Sequence, residues 1–325
     1  MDVCKFVLVR NQADPDGNNF PDWQEFERSI LRDCEVSGIK RRRLTRLLFS
    51  VMFRLMRRIG RRLGIQPPYN LPVKARIPMR VAILGGLSFK RCPDFILPGT
   101  KVAYLYDSSL PWSTTEQMVR FVEDTGISVL FVSHPTFRDR LQPHLQSCEV
   151  HFVPEAVDPG AYLSNEKKTI DVLSFGRALK TYHHALLTGL PPEVRYRHGW
   201  VESRDDLIRA MGAARIIINF PRSLTDETLD VEMLTMRYFQ AFASRALVLG
   251  RCPPILKDVF GYDPVIAADL ENPCSQIQDI LRDFSSYQGL IDKNYQNLIA
   301  RHTYGHRWQQ MKSILNDEHR CPFTR

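Results

Sequence analysis

The sequence has no C-x-x-C pair, and its seven cysteines are scattered and odd in number. That argues against a disulfide framework and for reduced thiols in a cytosolic protein. No long apolar stretch follows Met1-Asp2, so the start is not that of an ordinary signal peptide. No uncharged run approaches membrane-spanning length, and there are no repeats or low-complexity tracts. No cluster of His, Asp and Glu stands out, so no bound metal is expected. What remains is a chain of 325 residues, 44% hydrophobic and 25% charged. This is the composition of a soluble globular protein with room for two domains.

The net charge of +8 has a local source. Between Lys40 and Arg62 there are ten Lys or Arg and no acid; without them the chain holds 34 basic against 36 acidic residues. Within 40–63, Leu44, Leu47, Leu48, Val51, Met52, Leu55, Met56, Ile59 and Leu63 follow the i, i+3, i+4 rhythm of a helix. Arg43, Arg46, Arg54, Arg57 and Arg61 gather on the other arc. A helix of this kind suits an anionic membrane surface. Its rivals are a core-packing helix with a solvated basic face and, third, a nucleic-acid contact.

Strand signals recur on either side of this helix. Lys5 to Val9 reads as a strand, and the polar stretch from Asn11 leads into a helix from Trp23 to Arg32. Within it Asp14, Asp16, Asn18 and Glu25 fall on calcium-loop positions, but Asn19 replaces the required glycine and a turn is preferred. Val81–Leu84, Val102–Tyr106 and Val129–Val132 are strands, alternating with helices Thr115–Thr125 and Thr136–Leu145. Asp107 and His134 each directly follow a strand, where parallel α/β sheets place their ligands. Either is a candidate acceptor-activating base; the structural alternative is that each fixes the turn before the next proline.

The second half is organised around Ala214–Gly250. Ile216-Ile217-Ile218 signals a buried strand, a polar loop follows, and Met233, Met236, Phe239 and Phe242 have helical spacing before the apolar run Ala246–Leu249. Glu232 and Gln240, eight apart, would lie on nearly one face of that helix with Arg237 between them. A carboxylate near a helix start accepts sugar hydroxyls, an amide holds a ribose, and an arginine holds a diphosphate. On spacing alone an amphipathic surface helix explains these positions as well.

The run TMRYFQAFASRALVL resembles the donor-binding helix of glycosyltransferases built from two Rossmann-like domains (GT-B). It is closest to the group 1 transferases similar to the spore-maturation CgeB proteins, whose pattern is roughly T-x-R-x-F-E-A-x-A-x-G-A. Thr235, Arg237, Phe239, Ala241, Ala243 and Ala246 match; Gln240 replaces the glutamate and Arg245 the glycine. Pro154 to Pro159 is similar to the hinge of such enzymes, and HTYGHRWQQMKSIL to their closing helix, which crosses back to the first domain.

The resemblance implies two Rossmann-like α/β domains with a cleft between them. They are an acceptor domain over 1–158, a nucleotide-sugar domain over 159–300, and a C-terminal helix and tail over 301–325. It further implies that Gly176, Arg177 and Lys180, at a strand-to-helix turn, hold a donor diphosphate together with Arg237. Gln240 would take the ribose, Trp200 would line the base site, and Glu232 would stand at the first glutamate of the family's E-x7-E pair. The expected reaction is metal-independent transfer of a hexose-like sugar from a nucleotide-diphosphate sugar, with no cofactor, to a glycan, lipid-linked or small-molecule acceptor. The expected location is cytoplasmic, peripheral to a membrane through 40–63. The alternatives are a non-catalytic sugar-nucleotide-binding or polysaccharide-binding subunit, and a basic membrane or nucleic-acid adaptor.

Overall fold

The computed structural model describes residues 6–10, 22–74, 79–87, 92–106, 114–162, 167–201, 203–225 and 231–318. Asp107 and the calcium-loop positions Asp14, Asp16 and Asn18 lie outside them. The chain divides into two compact units, Met1–Pro154 with Arg307–Arg325, and Glu155–His306.

The first unit runs β1 (Phe6–Val9), α1 (Asp22–Ile30), β2 (Val36–Ile39), α2 (Arg43–Arg62), β3 (Met79–Leu84), β4 (Thr100–Leu105), α3 (Thr115–Thr125), β5 (Val129–Val132), α4 (Pro135–Leu141) and β6 (Glu149–Phe152). Its strands form one sheet in the order β2-β1-β3-β4-β5-β6, and every pairing is parallel. A parallel sheet covered on both faces needs unbroken apolar strands, and Val81 to Leu84 and Val129 to Val132 are buried throughout. The short edge strand β2 has no counterpart in the sequence reading. Its four residues, VSGI, are too few and too mixed to show a period.

Lys101 is one of several charged residues buried in this unit. Lys101 on β4 is fully buried, with Nζ donating to the Thr125 carbonyl at 2.6 Å and to the Asn70 side chain. Burial holds its pKa down to about 7. The first unit is closed by the C-terminal helix α11 (Tyr304–Glu318) from Arg307 onward. Trp308 is buried edge-on against Phe6 at 5.4 Å, and its Nε1 donates to Asp33 at 2.9 Å.

The second unit continues with β7 (Ile170–Phe175), α5 (Lys180–Gly189), β8 (Tyr196–Gly199), α6 (Arg204–Ala213), β9 (Ala214–Asn219), α7 (Met236–Ala243), β10 (Leu247–Gly250), α8 (Pro254–Phe260), β11 (Ile266–Ala267), α9 (Pro273–Arg282) and α10 (Gln288–Arg301). The sheet order is β11-β10-β9-β7-β8, again all parallel. Val172, Ile216, Ile218, Leu247 and Leu249 from its strands meet Ile277, Ile280 and Ile291 from α9 and α10 in one cluster.

One expectation about this unit needs correction. α7 begins at Met236 with Thr235 as N-cap, so Met233 and Glu232 precede the helix, outside any regular element. Glu232 and Gln240 therefore do not share a helical face. The physical reason is an outside cap: the buried Glu155 carboxylate accepts from the Met236 amide at 3.0 Å. That carboxylate occupies the positive end of the helix and fixes where it starts.

Candidate functional site

The carboxyl ends of β7 and β9 and the start of α7 bring several of the sequence-predicted residues together. β7 ends at Phe175, and Gly176 turns the chain at φ 71°, the left-handed region that glycine enters without steric cost. The guanidinium of Arg237 lies over this turn. A Cβ on Gly176 would stand 2.9 Å from Arg237 Nη2, so the glycine is needed for close approach as well as for its backbone angle. Arg237 also stacks on the Phe175 ring, 4.5 Å from its centroid, within the range of a cation–π contact. On a third side its Nη1 makes a long contact of 3.5 Å to Asn219 Oδ1 at the end of β9.

Asn219 is itself buried, and its Nδ2 makes no hydrogen bond among the described residues. Burial, with the nearby positive charge of Arg177 contributing, lowers the Arg237 pKa to about 10. Two cations thus stand at one glycine turn, and an anion placed there would be stabilised by both.

Arg177 follows Gly176 directly and is exposed, and exposed Lys180 is the first residue of α5. No side chain caps that helix, so its first amides and the two cations share one edge of the sheet. Beside them a small, partly open pocket is lined by Ser174, Arg177, Tyr182, His183, Tyr196 and Phe220, among others. His183 Nδ1 and Tyr196 Oη are 2.7 Å apart. The Tyr182 hydroxyl is buried without a hydrogen-bond partner among the described residues.

The other predicted residues are placed differently. Glu232 is paired with Arg251, Oε1 to Nη2 at 3.2 Å; Arg251 follows β10 at the same end of the sheet, its amide bonded to the Asn219 carbonyl. Trp200 stands 81% exposed just beyond β8, at the edge of the sheet. Gln240 is buried within the unit, its Nε2 donating to the Tyr162 hydroxyl at 2.9 Å. In this arrangement its amide is committed to the protein.

His134 belongs to the first unit. It is buried, and its Nδ1 accepts from the Thr136 amide at 3.2 Å as the N-cap of α4. Burial lowers its pKa to about 4, with Arg140 contributing. The turn-fixing alternative raised for this residue describes what its Nδ1 does.

Sequence reasoning missed Glu155, Asn219, Tyr162 and Arg251. Asn219 and Arg251 each directly follow or end a strand, the same signal that singled out Asp107 and His134. Glu155 sits in the hinge-like Pro154–Pro159 run, but its long-range cap on α7 has no local signature. Among the described residues no group of three or more His, Cys, Asp or Glu is placed to hold a metal ion.

Residues 163–313 match the family model described as Glycosyl transferase-like. No curated protein matches the chain in sequence. Among solved structures, Anabaena HepE in complex with UDP and glucose is similar over 97% of this chain and 100% of that one, with TM-score 0.63 and 11% identity. A glycosyltransferase from Rickettsia africae covers 99% and 100% with TM-score 0.54 at 7% identity. Sucrose-phosphate synthase from Thermosynechococcus elongatus covers 96% and 88% with TM-score 0.54 at 11% identity. At such identities the likeness is one of fold. The two parallel-sheet α/β units of this chain have the fold of GT-B glycosyltransferases.

Proposed function

We propose that the chain is a glycosyltransferase that takes a sugar from a nucleotide-diphosphate sugar, with the donor held by the second unit. The observation that carries this reading is the Arg237 guanidinium seated on the Gly176 turn beside Arg177. In the reaction the bond between the anomeric carbon and the phosphate oxygen breaks and one to an acceptor oxygen forms. The acceptor's proton leaves to a base, and negative charge grows on the departing diphosphate. Arg177, Arg237 and Lys180 offset that charge, which is the largest single contribution a site of this kind makes. Glu232, held by Arg251, is assigned to the sugar hydroxyls, and exposed Trp200 to the base. The match to a Glycosyl transferase-like model over this unit, and neighbours whose structures hold UDP or UDP-glucose, support the same class of donor. The acceptor class is a glycan, a lipid-linked glycan or a small molecule.

A second reading is favoured by one observation. Gln240, where the resembling families carry a glutamate, spends its amide on Tyr162. A non-catalytic subunit that binds sugar nucleotides would tolerate that. A thermal-shift screen against UDP, GDP, CMP and dTDP sugars, followed by donor-hydrolysis assays, separates the readings. A transferase is stabilised by one nucleotide class and slowly hydrolyses that donor. A binding subunit is stabilised but leaves the donor intact, also as Gln240→Glu. Absence of any shift rejects both.

A further inference from the structure

The surface that sugar transfer leaves unused is α2. The helix is docked, not stray. Phe53 and Gly60 are buried, and Phe49, Met52 and Met56 pack around Tyr69 and Ile96. Gly60 is required there, since a Cβ would come within 2.4 Å of the Tyr69 ring. Arg61 reaches Asp124 at 2.9 Å and Arg57 reaches it at 3.5 Å, while Arg41, just before the helix, holds Asp94 at 2.6 Å. The inward face is therefore already satisfied by aromatic packing and ion pairs.

The outward face is aliphatic. Leu44 is 78% exposed and Leu48 55%, and Val51, Leu55 and Ile59 continue the stripe. Of the thirteen exposed large hydrophobic side chains among the described residues, eight lie between Leu44 and Ile65. Such concentration marks an interaction site, unlike scattered surface leucines. Arg43, Arg54, Arg58 and Arg62 are exposed along the same helix, and the segment holds no acid.

We propose that this face of α2 docks the chain on an anionic lipid bilayer, the leucine stripe sinking below the headgroups while the arginines hold lipid phosphates. The claim is independent of the transferase reading. Three physical points select this occupant. Aliphatic side chains at the centre of the stripe have no role against nucleic acid, where cations and stacking rings do the binding. A second copy would bring two like-charged arginine-rich segments together and pay for it in repulsion. A bilayer with anionic lipid satisfies both halves at once, because long arginine stems reach the headgroup level from a helix lying at the interface.

The test is flotation of the full chain with vesicles of phosphatidylcholine alone and with about a third phosphatidylglycerol, at low and high salt. The chain should float with the anionic vesicles, and less so at high salt. Leu48→Ser with Leu55→Ser, both at exposed positions, should lower partitioning at least ~10-fold. Arg54→Ser with Arg58→Ser should remove most of the preference for anionic lipid. Circular dichroism and nucleotide binding should be unchanged in both variants. Failure to float overturns the proposal. So does duplex DNA binding that the leucine variant retains without any flotation, or a dimer that the leucine variant abolishes without any flotation.

Discussion

Arg237 is held from three sides: the Gly176 turn beneath it, the Phe175 ring against its flat face and the Asn219 amide at its edge. A planar guanidinium is needed for such a seat, and lysine cannot reproduce it. Gly176→Ala would impose a side chain at φ 71°, which costs about 1–2 kcal/mol, and would push on Nη2. We therefore expect this single methyl to weaken nucleotide-diphosphate binding several-fold, read by titration calorimetry. His134 makes a prediction of the opposite kind. Its folded pKa near 4 lies below the ordinary 6.5, so between these values the unfolded chain takes up a proton that the folded one refuses. Stability should fall as pH falls from 6.5 to 4, by up to roughly 3 kcal/mol. His134→Asn, which keeps a cap, should flatten that limb in urea unfolding followed across pH.

At the scale of the element, α7 ends on an unusual residue. Arg245 adopts φ 50°, the left-handed position where helices commonly place glycine. Its side chain compensates by stacking on Tyr295 at 4.2 Å and approaching Asp292 at 3.7 Å. Backbone relief of about 1 kcal/mol and loss of a cation–π contact worth about 0.5–1 kcal/mol nearly cancel. Arg245→Gly should thus change stability by less than about 0.5 kcal/mol, and a larger loss in urea unfolding would assign more to the stack. α2 is less forgiving: Gly60→Ala should destabilise the first unit by about 1–3 kcal/mol, because the new methyl meets the Tyr69 ring. Elements with strong periodicity were readable from sequence, α3 and β5 to the residue. α7 was placed but started a turn too early, because helical spacing at Met233 carries no sign of the Glu155 cap that comes from far along the chain. The leucine face of α2 was legible as a stripe. Which part of it packs was not, since Tyr69 and Ile96, its partners, lie outside the helix.

For the molecule as a whole, alternation of strands and helices marks the α/β class while chain length and the family resemblance imply two units, and each closes around its own core. At the candidate site, the resemblance singles out Gly176, Arg177, Lys180 and Arg237, and the structure sets them around the turn after β7 and the start of α7. It was not legible at Asn219, Tyr162 and Arg251, whose roles depend on which strands become neighbours in the sheet. Gln240 shows the limit from the other side: its position on α7 was right, but its partner Tyr162 is not deducible from spacing. The central claim is that one turn of the second unit and Arg237 together grip a nucleotide diphosphate. Its most direct test is calorimetric titration of the nucleoside diphosphate favoured in the screen into the wild-type chain and Arg237→Ala. Loss of charge-assisted hydrogen bonds predicts at least ~10-fold weaker binding by the variant. Equal affinity in the two proteins would contradict it.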